Sequence, residues 1–98
     1  MRQIYSKNIE HPPAPWERYA TMYRQQIRRS HTLQIMFHPS EVLPWCAACK
    51  GVGHYFYTAE AVLAYCAGRG YISYGIVHDL AFQLDDKAKR GDYALPAE

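Results

Sequence analysis

The segment PWCAACKGVG, residues 44–53, constrains this chain more than any other part of it. It contains two of the three cysteines, Cys46 and Cys49, and two glycines, in the spacing CxxCxGxG. Two thiols three residues apart can bind one metal ion or form one small disulfide. Glycines beside them allow the backbone to turn sharply. The segment therefore predicts either a structural zinc knuckle or a redox pair.

The rest of the chain must build a core from few residues. With 98 residues it is expected to form one domain, close to the smallest size that buries a sufficient core. Nine tyrosines, three phenylalanines and two tryptophans make the sequence rich in aromatic residues. Such rings can fill a small core, or they can form an exposed face that binds a partner.

The first half of the chain predicts one helix and one strand. Over residues 15–30 apolar residues recur at steps of three and four, which favours a helix with an apolar stripe. Residues 32–37 alternate apolar and polar side chains, as in a strand. Residues 52–57 are rich in aromatics and are predicted to pair with residues 32–37 as a small antiparallel ribbon.

Two further helices are predicted from their capping residues. Thr58 can act as the N-cap of a helix over residues 58–67. Ser73 can act as the N-cap of a helix over residues 74–90, and Gly91 can end it. The expected fold class is therefore mainly α, with about three helices and a small β-ribbon.

The chain is expected to have a core over residues 15–91 and a tail over residues 92–98. Residues 1–14 are expected to form an extended arm, because a helix is disfavoured by three prolines within four positions, Pro12, Pro13 and Pro15.

The knuckle segment resembles a known kind of zinc site. CAACKGVG, residues 46–53, matches in full the CxxCxGxG knuckles of the DnaJ cysteine-rich region, which also occur in phage antitermination proteins of the lambda Q type. LAYCAGRG, residues 63–70, matches them with Leu63 in place of the first cysteine. In those families two knuckles supply four ligands. The resemblance implies a zinc site of three cysteines and one histidine: Cys46, Cys49, Cys66, and His54 or His38.

Some of these residues have a purely structural alternative. Cys66 lies on the apolar side of the predicted second helix, and unpaired cysteine is among the residues most often buried. His54 can be an ordinary strand side chain.

The same cysteines also support a redox interpretation. PWCAACK resembles the WCxxCK active site of the thioredoxin family, in which Cys46 would be the nucleophile and Cys49 the resolving thiol. That active site begins a helix whose N-terminus lowers the thiol pKa, whereas Gly51 and Gly53 follow here. The family also needs a cis-proline loop, and the only later proline is Pro96.

Basic residues are concentrated in the first half. Residues 1–50 carry seven basic and three acidic residues, net +4, and residues 51–98 carry four and six, net −2. On a helix over residues 15–30 a basic face could bind an acidic protein surface or phosphates, or could simply be solvated. The residues of this predicted binding face are Arg18, Arg24, Arg28, Arg29 and Tyr23.

These observations predict a small, non-enzymatic regulatory or inhibitory protein that binds a protein partner through aromatic and basic side chains. Neither a P-loop nor a dinucleotide fingerprint is present in the sequence. By analogy, the phage-type knuckle suggests a phage or mobile-element protein, for example an inhibitor of host defence. One alternative is a zinc-stabilised nucleic-acid-binding transcriptional regulator, and another is a CxxC thiol-disulfide oxidoreductase.

The expected location is the cytoplasm. The first residues lack the apolar segment of a signal peptide, and no apolar run approaches the roughly 20 residues of a membrane span.

Overall fold

The computed structural model describes residues 14–96 of the chain. Most of the arm predicted over residues 1–14 lies outside this range, as do residues 97 and 98 of the tail. A short 3-10 helix at Pro15–Arg18 precedes four strands: β1 (Ala20–Arg28), β2 (His31–Phe37), β3 (Trp45–Cys49) and β4 (Val52–Phe56). Two helices follow: α1 (Ala59–Gly68) and α2 (Val77–Arg90), with a 3-10 turn at Tyr74–Ile76 between them.

The four strands form one antiparallel sheet in the order β1-β2-β3-β4. Both helices pack on one face of this sheet, and their apolar side chains share one core with those of β2 and β3. The fold is therefore α+β, because strands and helices occupy separate segments of the chain and separate layers. The prediction of a mainly α fold with three helices is wrong.

The first predicted helix, residues 15–30, is instead mostly the strand β1. The pairing of β1 with β2 is interrupted by irregularities at Met22 and Ile27. Each adds one residue to the strand, so the apolar residues that reach the core, Met22, Tyr23 and Ile27, are not spaced by two. This spacing resembles the three- and four-residue steps of a helix, which explains the error.

The strands of the predicted ribbon exist, but they do not pair with each other. β3 lies between β2 and β4 and pairs with both. The knuckle segment is therefore a central strand followed by a tight hairpin. The two residues of its turn, Lys50 and Gly51, have φ of 58° and 78°. Such left-handed backbone at both central positions is typical of a type I′ turn, which suits the twist of paired strands.

Both helices lie close to their predicted ranges, although α2 begins at Val77 and residues 74–76 form a 3-10 turn. The Thr58 hydroxyl accepts a hydrogen bond from the Ala61 amide at 3.0 Å and begins α1. The Ser73 hydroxyl accepts one from the Gly75 amide at 3.0 Å and begins the 3-10 turn that leads into α2. Gly91, with φ of 71°, ends α2 in the left-handed conformation. Among the described residues, neither helix has the length and apolar character needed to cross a bilayer.

Two apolar clusters hold the sheet, one on each face. The larger lies between the sheet and the helices, and its centre is fully buried: Leu33, Ile35, Val62, Leu63 and Cys66. The smaller lies on the opposite face and consists of Tyr19, Met36, Cys46 and Ala48, with Trp16 and Tyr55 packed against it. The 3-10 helix thus covers part of the face that the helices leave open.

Gly53 makes room for the Trp16 ring on this second face. A Cβ atom at Gly53 would overlap the indole ring and lie 3.3 Å from the Cys46 sulfur. We expect Gly53→Ala to displace Trp16 and to lower the free energy of unfolding by about 1–3 kcal/mol, as overpacking does. Chemical denaturation and tryptophan fluorescence would measure both effects.

Gly68→Ala is the matched control. The new Cβ would meet only the Tyr74 hydroxyl, at an ordinary 3.4 Å, and alanine is the better helix former. This variant should be as stable as the wild type or more so. In a Trp16→Ala background, Gly53→Ala should lower the free energy of unfolding by less than it does in the wild type, because the ring that the new Cβ would overlap is absent. A Gly53→Ala protein with unchanged stability and fluorescence would contradict this account of the packing.

Candidate functional site

The two thiols of the knuckle lie on opposite faces of the sheet. Cys46 and Cys49 are three residues apart on β3, and side chains alternate between faces along a strand. Cys46 belongs to the small cluster with Tyr19, whereas Cys49 packs against the core beneath the helices. All three cysteines are unpaired. The two knuckle thiols therefore cannot bind one metal ion or form a disulfide with each other.

The remaining predicted zinc ligands do not complete a site. Cys66 is fully buried in the main core, on the face of Cys49. His54 lies on β4 with its ring 5.0 Å from that of Tyr65. His38 instead accepts a hydrogen bond through Nδ1 from the Ser40 amide, at 3.1 Å. Within residues 14–96 no three His, Cys, Asp or Glu side chains are grouped so that they could hold a metal ion. The residues do not fit zinc, and the prediction of a zinc-binding, helical protein is wrong.

The environment of Cys46 also differs from that of a redox nucleophile. Burial raises the pKa of the Cys46 thiol to about 11, and the nearby polar groups of the His54 backbone and the Tyr55 side chain only partly oppose this. Burial raises the pKa of Cys66 to about 12, with a further contribution from the nearby Cys49. Reactive thiols have a lowered pKa and partial exposure. The geometry gives no support to a thioredoxin-type pair.

The predicted basic face is dispersed, because it depended on a helix that is not formed. Arg18 forms an ion pair with Glu41, Nη2 to Oε2 at 2.7 Å. Arg24 donates a hydrogen bond to Gln34 at 3.3 Å on the sheet face opposite the helices. Arg28 ends β1, and Arg29 lies in the turn that follows.

Tyr23, the aromatic member of that predicted face, is half-buried against the main core. Its hydroxyl donates a hydrogen bond to Gln25. Tyr23 therefore stabilises the sheet and does not present its ring to a partner.

The structure forms a different basic surface at one end of the molecule. The antiparallel pairing brings together the turns of the two hairpins and the carboxyl end of α1. Two neighbouring pockets, of about 260 Å³ and 300 Å³, share the side chains of Cys49, Lys50, Arg69 and Tyr71. We call this region the basic cleft, after its three cationic side chains, Arg28, Lys50 and Arg69; two histidines, His31 and His54, also line it.

The basic cleft is uniform in the sign of its charge. No carboxylate is among the described residues that line its two pockets. The ion pairs found within residues 14–96 use Arg18, Lys89 and Arg90. Positive charges thus converge here without a described acidic neighbour to neutralise them, and such a surface attracts anions.

A second concave surface lies at the amino end of α1, beside the middle of α2. Its pocket of about 320 Å³ is lined by three aromatic residues, Trp45, Tyr57 and Phe82, together with the carboxylates of Glu60 and Asp85. Trp45 is buried at its base, whereas Tyr57 and Phe82 are 69% and 71% exposed. We call this region the aromatic pocket.

Sequence reasoning did not identify either surface. The sequence feature that indicates the basic cleft is the pair Lys50-Gly51 between two β-prone segments. Such a pair favours a two-residue hairpin turn, and the turn would fix the direction of the Lys50 side chain. The sequence feature that indicates the aromatic pocket is Phe82. It lies outside the apolar stripe of the predicted helix over residues 74–90, so its ring is left on the exposed side. Of the four arginines predicted to form one face, only Arg28 lines the basic cleft.

Comparison of the chain with protein-family models, curated proteins and solved structures gives no match. The resemblance of residues 46–53 to CxxCxGxG knuckles therefore stays a prediction that these comparisons do not test.

The buried thiols predict a loss of stability at alkaline pH. Their ordinary pKa is 9.0, and the folded values are about 11 for Cys46 and about 12 for Cys66. At a pH between the ordinary pKa and the folded pKa, these thiols lose their protons in the unfolded chain and keep them in the folded chain. The stability contributed by the buried neutral thiols is thus complete below about pH 9 and falls as pH rises.

Cys46→Ala should lessen this loss by about 2 kcal/mol between pH 9 and 11, since one titrating group is removed. The measurement is the free energy of unfolding by denaturant at several pH values, under reducing conditions. Gly68→Ala, which leaves all three thiols in place, is the control and should keep the alkaline slope of the wild type. An identical alkaline slope in Cys46→Ala and in the wild type would show that Cys46 is not a buried neutral thiol.

Proposed function

We propose that this protein is a small, non-enzymatic regulatory or inhibitory protein that docks on a protein partner through the aromatic pocket. The observation that carries the proposal is the exposure of Phe82. This phenylalanine lies on the outer side of α2, whose inward residues Val77, Ala81 and Leu84 are buried. Tyr57, which is similarly exposed, lines the same pocket; single exposed apolar residues are common on protein surfaces, but two large exposed rings around one concave surface are typical of a binding site.

The composition of the aromatic pocket is that of a binding hot spot. Aromatic residues dominate the energetics of protein interfaces because they bury much area with few rotatable bonds. Phe82 and Tyr57 stand at the rim, and Trp45 closes the base beneath them. An apolar side chain of a partner could enter between the rings and exclude water from all three.

The charges around the pocket specify the partner further. Glu60 lies in the first turn of α1, and Asp85 is paired with Lys89 at 3.4 Å, with both side chains largely exposed. An exposed pair of this kind is weak and can be exchanged. A partner segment with an apolar residue next to lysine or arginine would complement both the rings and the carboxylates.

The aromatic pocket is not the docking surface that the sequence predicts, which is an aromatic and basic face on a helix over residues 15–30. The helix over residues 15–30 is not formed, and of the residues of its predicted binding face only Arg28 lines either of the two surfaces. The proposal keeps a protein partner and gives the docking role to the aromatic pocket. The environments of Cys46 and Cys66, which are buried with a raised pKa, do not favour catalysis by these two thiols.

A displayed library of random peptides of about twelve residues tests the proposal. Immobilised wild-type protein should enrich peptides that combine an apolar or aromatic residue with a neighbouring lysine or arginine. Phe82→Ala should bind these peptides at least about tenfold more weakly, the effect of losing a hot spot. Its stability should stay within about 0.5 kcal/mol of the wild type, because the side chain is exposed.

Tyr74→Ala is the matched control. Tyr74 is 70% exposed, similar to Phe82, but does not line the aromatic pocket. It should keep wild-type affinity for the enriched peptides. Enriched peptides that bind Phe82→Ala as tightly as the wild type, or the absence of any enriched sequence, would contradict docking through this pocket.

A further inference from the structure

The basic cleft is separate from the aromatic pocket and has the features of a second binding site. The two surfaces share no lining residue. The cleft lies where both hairpins turn, and the aromatic pocket lies at the opposite end of α1. A ligand in the cleft would leave the aromatic pocket free, so the two surfaces can be tested independently.

The floor and walls of the cleft suit a flat ring. Leu33 and Ala47 provide an apolar floor, and Tyr65 and Tyr71 stand beside it. Tyr65 is held by its contact with His54, with ring centroids 5.0 Å apart, and by Phe56, at 5.3 Å. Fixed aromatic walls offer a stacking surface without loss of much conformational freedom.

The rim of the cleft suits a phosphate group. Arg69 lies over the Tyr71 ring at 5.9 Å, and Lys50 stands at the edge of the same pocket. Arg28 and His31 line the adjoining pocket on the far side of Lys50. An arginine fork can bind two phosphate oxygens at once, and lysine adds a point charge that can follow the ligand.

The backbone of Lys50 adds an independent observation. Its φ of 58° places a non-glycine residue in the left-handed region, at a turn position that asparagine or glycine normally occupies. A lysine is thus kept at a position where another residue would suit the hairpin better. Strain of this kind is often associated with a binding role.

We propose that the basic cleft binds a nucleotide, either free or at the phosphorylated end of a nucleic-acid strand. The phosphate contacts Lys50 and Arg69, and the base lies against the tyrosine walls. The pocket of about 260 Å³ is close to the lower limit of small-molecule sites, which suits one nucleotide rather than a longer segment. Stacking on an aromatic wall tolerates any base, so the site selects the phosphate and the ring together.

Cys49 provides a reporter inside the cleft. It lines both pockets and is half-buried, whereas Cys46 and Cys66 are fully buried. A neutral alkylating reagent such as iodoacetamide should therefore modify Cys49 first in the folded protein. A bound nucleotide would cover the thiol and slow this modification.

The experiment measures the rate of Cys49 alkylation against the concentration of four probes: adenosine monophosphate, a 5′-phosphorylated oligothymidylate, inorganic phosphate and adenosine. The first or the second should protect Cys49, and adenosine and inorganic phosphate should not at the same concentrations. Protection of Cys49 by adenosine monophosphate would show that a free nucleotide is sufficient for binding in the cleft. Protection by the phosphorylated strand alone identifies a strand end. Protection should weaken as salt rises.

Lys50→Asn separates binding from folding. It removes one charge from the rim and creates an Asn-Gly turn, which suits the hairpin, so the melting temperature should be unchanged or higher. The nucleotide concentration needed for half protection should rise at least about tenfold, the effect of losing one charge-assisted hydrogen bond. Lys87→Gln removes the same charge on α2, outside both pockets, and should leave half protection unchanged.

Three results would overturn the proposal. The first is no protection by either phosphorylated nucleotide probe. The second is equal protection by inorganic phosphate or by adenosine. The third is an unchanged half-protecting concentration in Lys50→Asn. None of these affects peptide binding at the aromatic pocket, so failure of the cleft and failure of the proposed protein docking are distinguishable.

Discussion

The burial of β3 on both faces is the constraint on which the rest of this structure depends. Trp45 and Ala47 face the helices, and Cys46 and Ala48 face the small cluster under Trp16. A central strand covered on both sides cannot carry charged side chains, and its side chains must be small where large rings pack against them. Two alanines and a cysteine meet this requirement, because Trp16 and Tyr19 fill one side and the buried apolar face of α1 fills the other. The motif that suggests a metal knuckle is thus explained by packing.

The same constraint determines what the cysteines can do. In a strand a separation of three residues sends two side chains to opposite faces, whereas in a turn it brings them together. The chemistry predicted for Cys46 and Cys49 therefore depended on the conformation of the segment between them. The hairpin turn forms after Cys49, at Lys50 and Gly51, and not between the two thiols.

The parts of the fold that sequence reasoning located are those determined by local chemistry. α1 begins at the Thr58 hydroxyl, the 3-10 turn that leads into α2 begins at the Ser73 hydroxyl, and α2 ends at Gly91; each of these effects acts within a few residues. β2 was located because its apolar residues alternate regularly. β1 was mistaken for a helix because two irregularities interrupt its alternation, and these depend on pairing with β2. The order of the strands is equally non-local, since nothing in residues 45–49 alone indicates that they separate β2 from β4. Neither candidate surface could be found before this pairing was known, because each combines residues from distant segments.

Lys50 shows how a small fold can reconcile folding with binding. A left-handed lysine costs the hairpin on the order of 1 kcal/mol relative to a residue suited to that backbone, and a domain of this size has little stability to lose. The loss is tolerable because the hairpin is held by more than its turn: β3 pairs with β4 along its whole length and with β2 over residues 45–48, and its side chains are buried on both faces. With the register fixed by packing, the turn residue is free to serve another purpose. The position after Cys49 is directed toward the carboxyl end of α1, where Arg69 lies, so a cation there joins a second cation across the cleft. Asparagine would make the better turn, and lysine makes the better site for an anion.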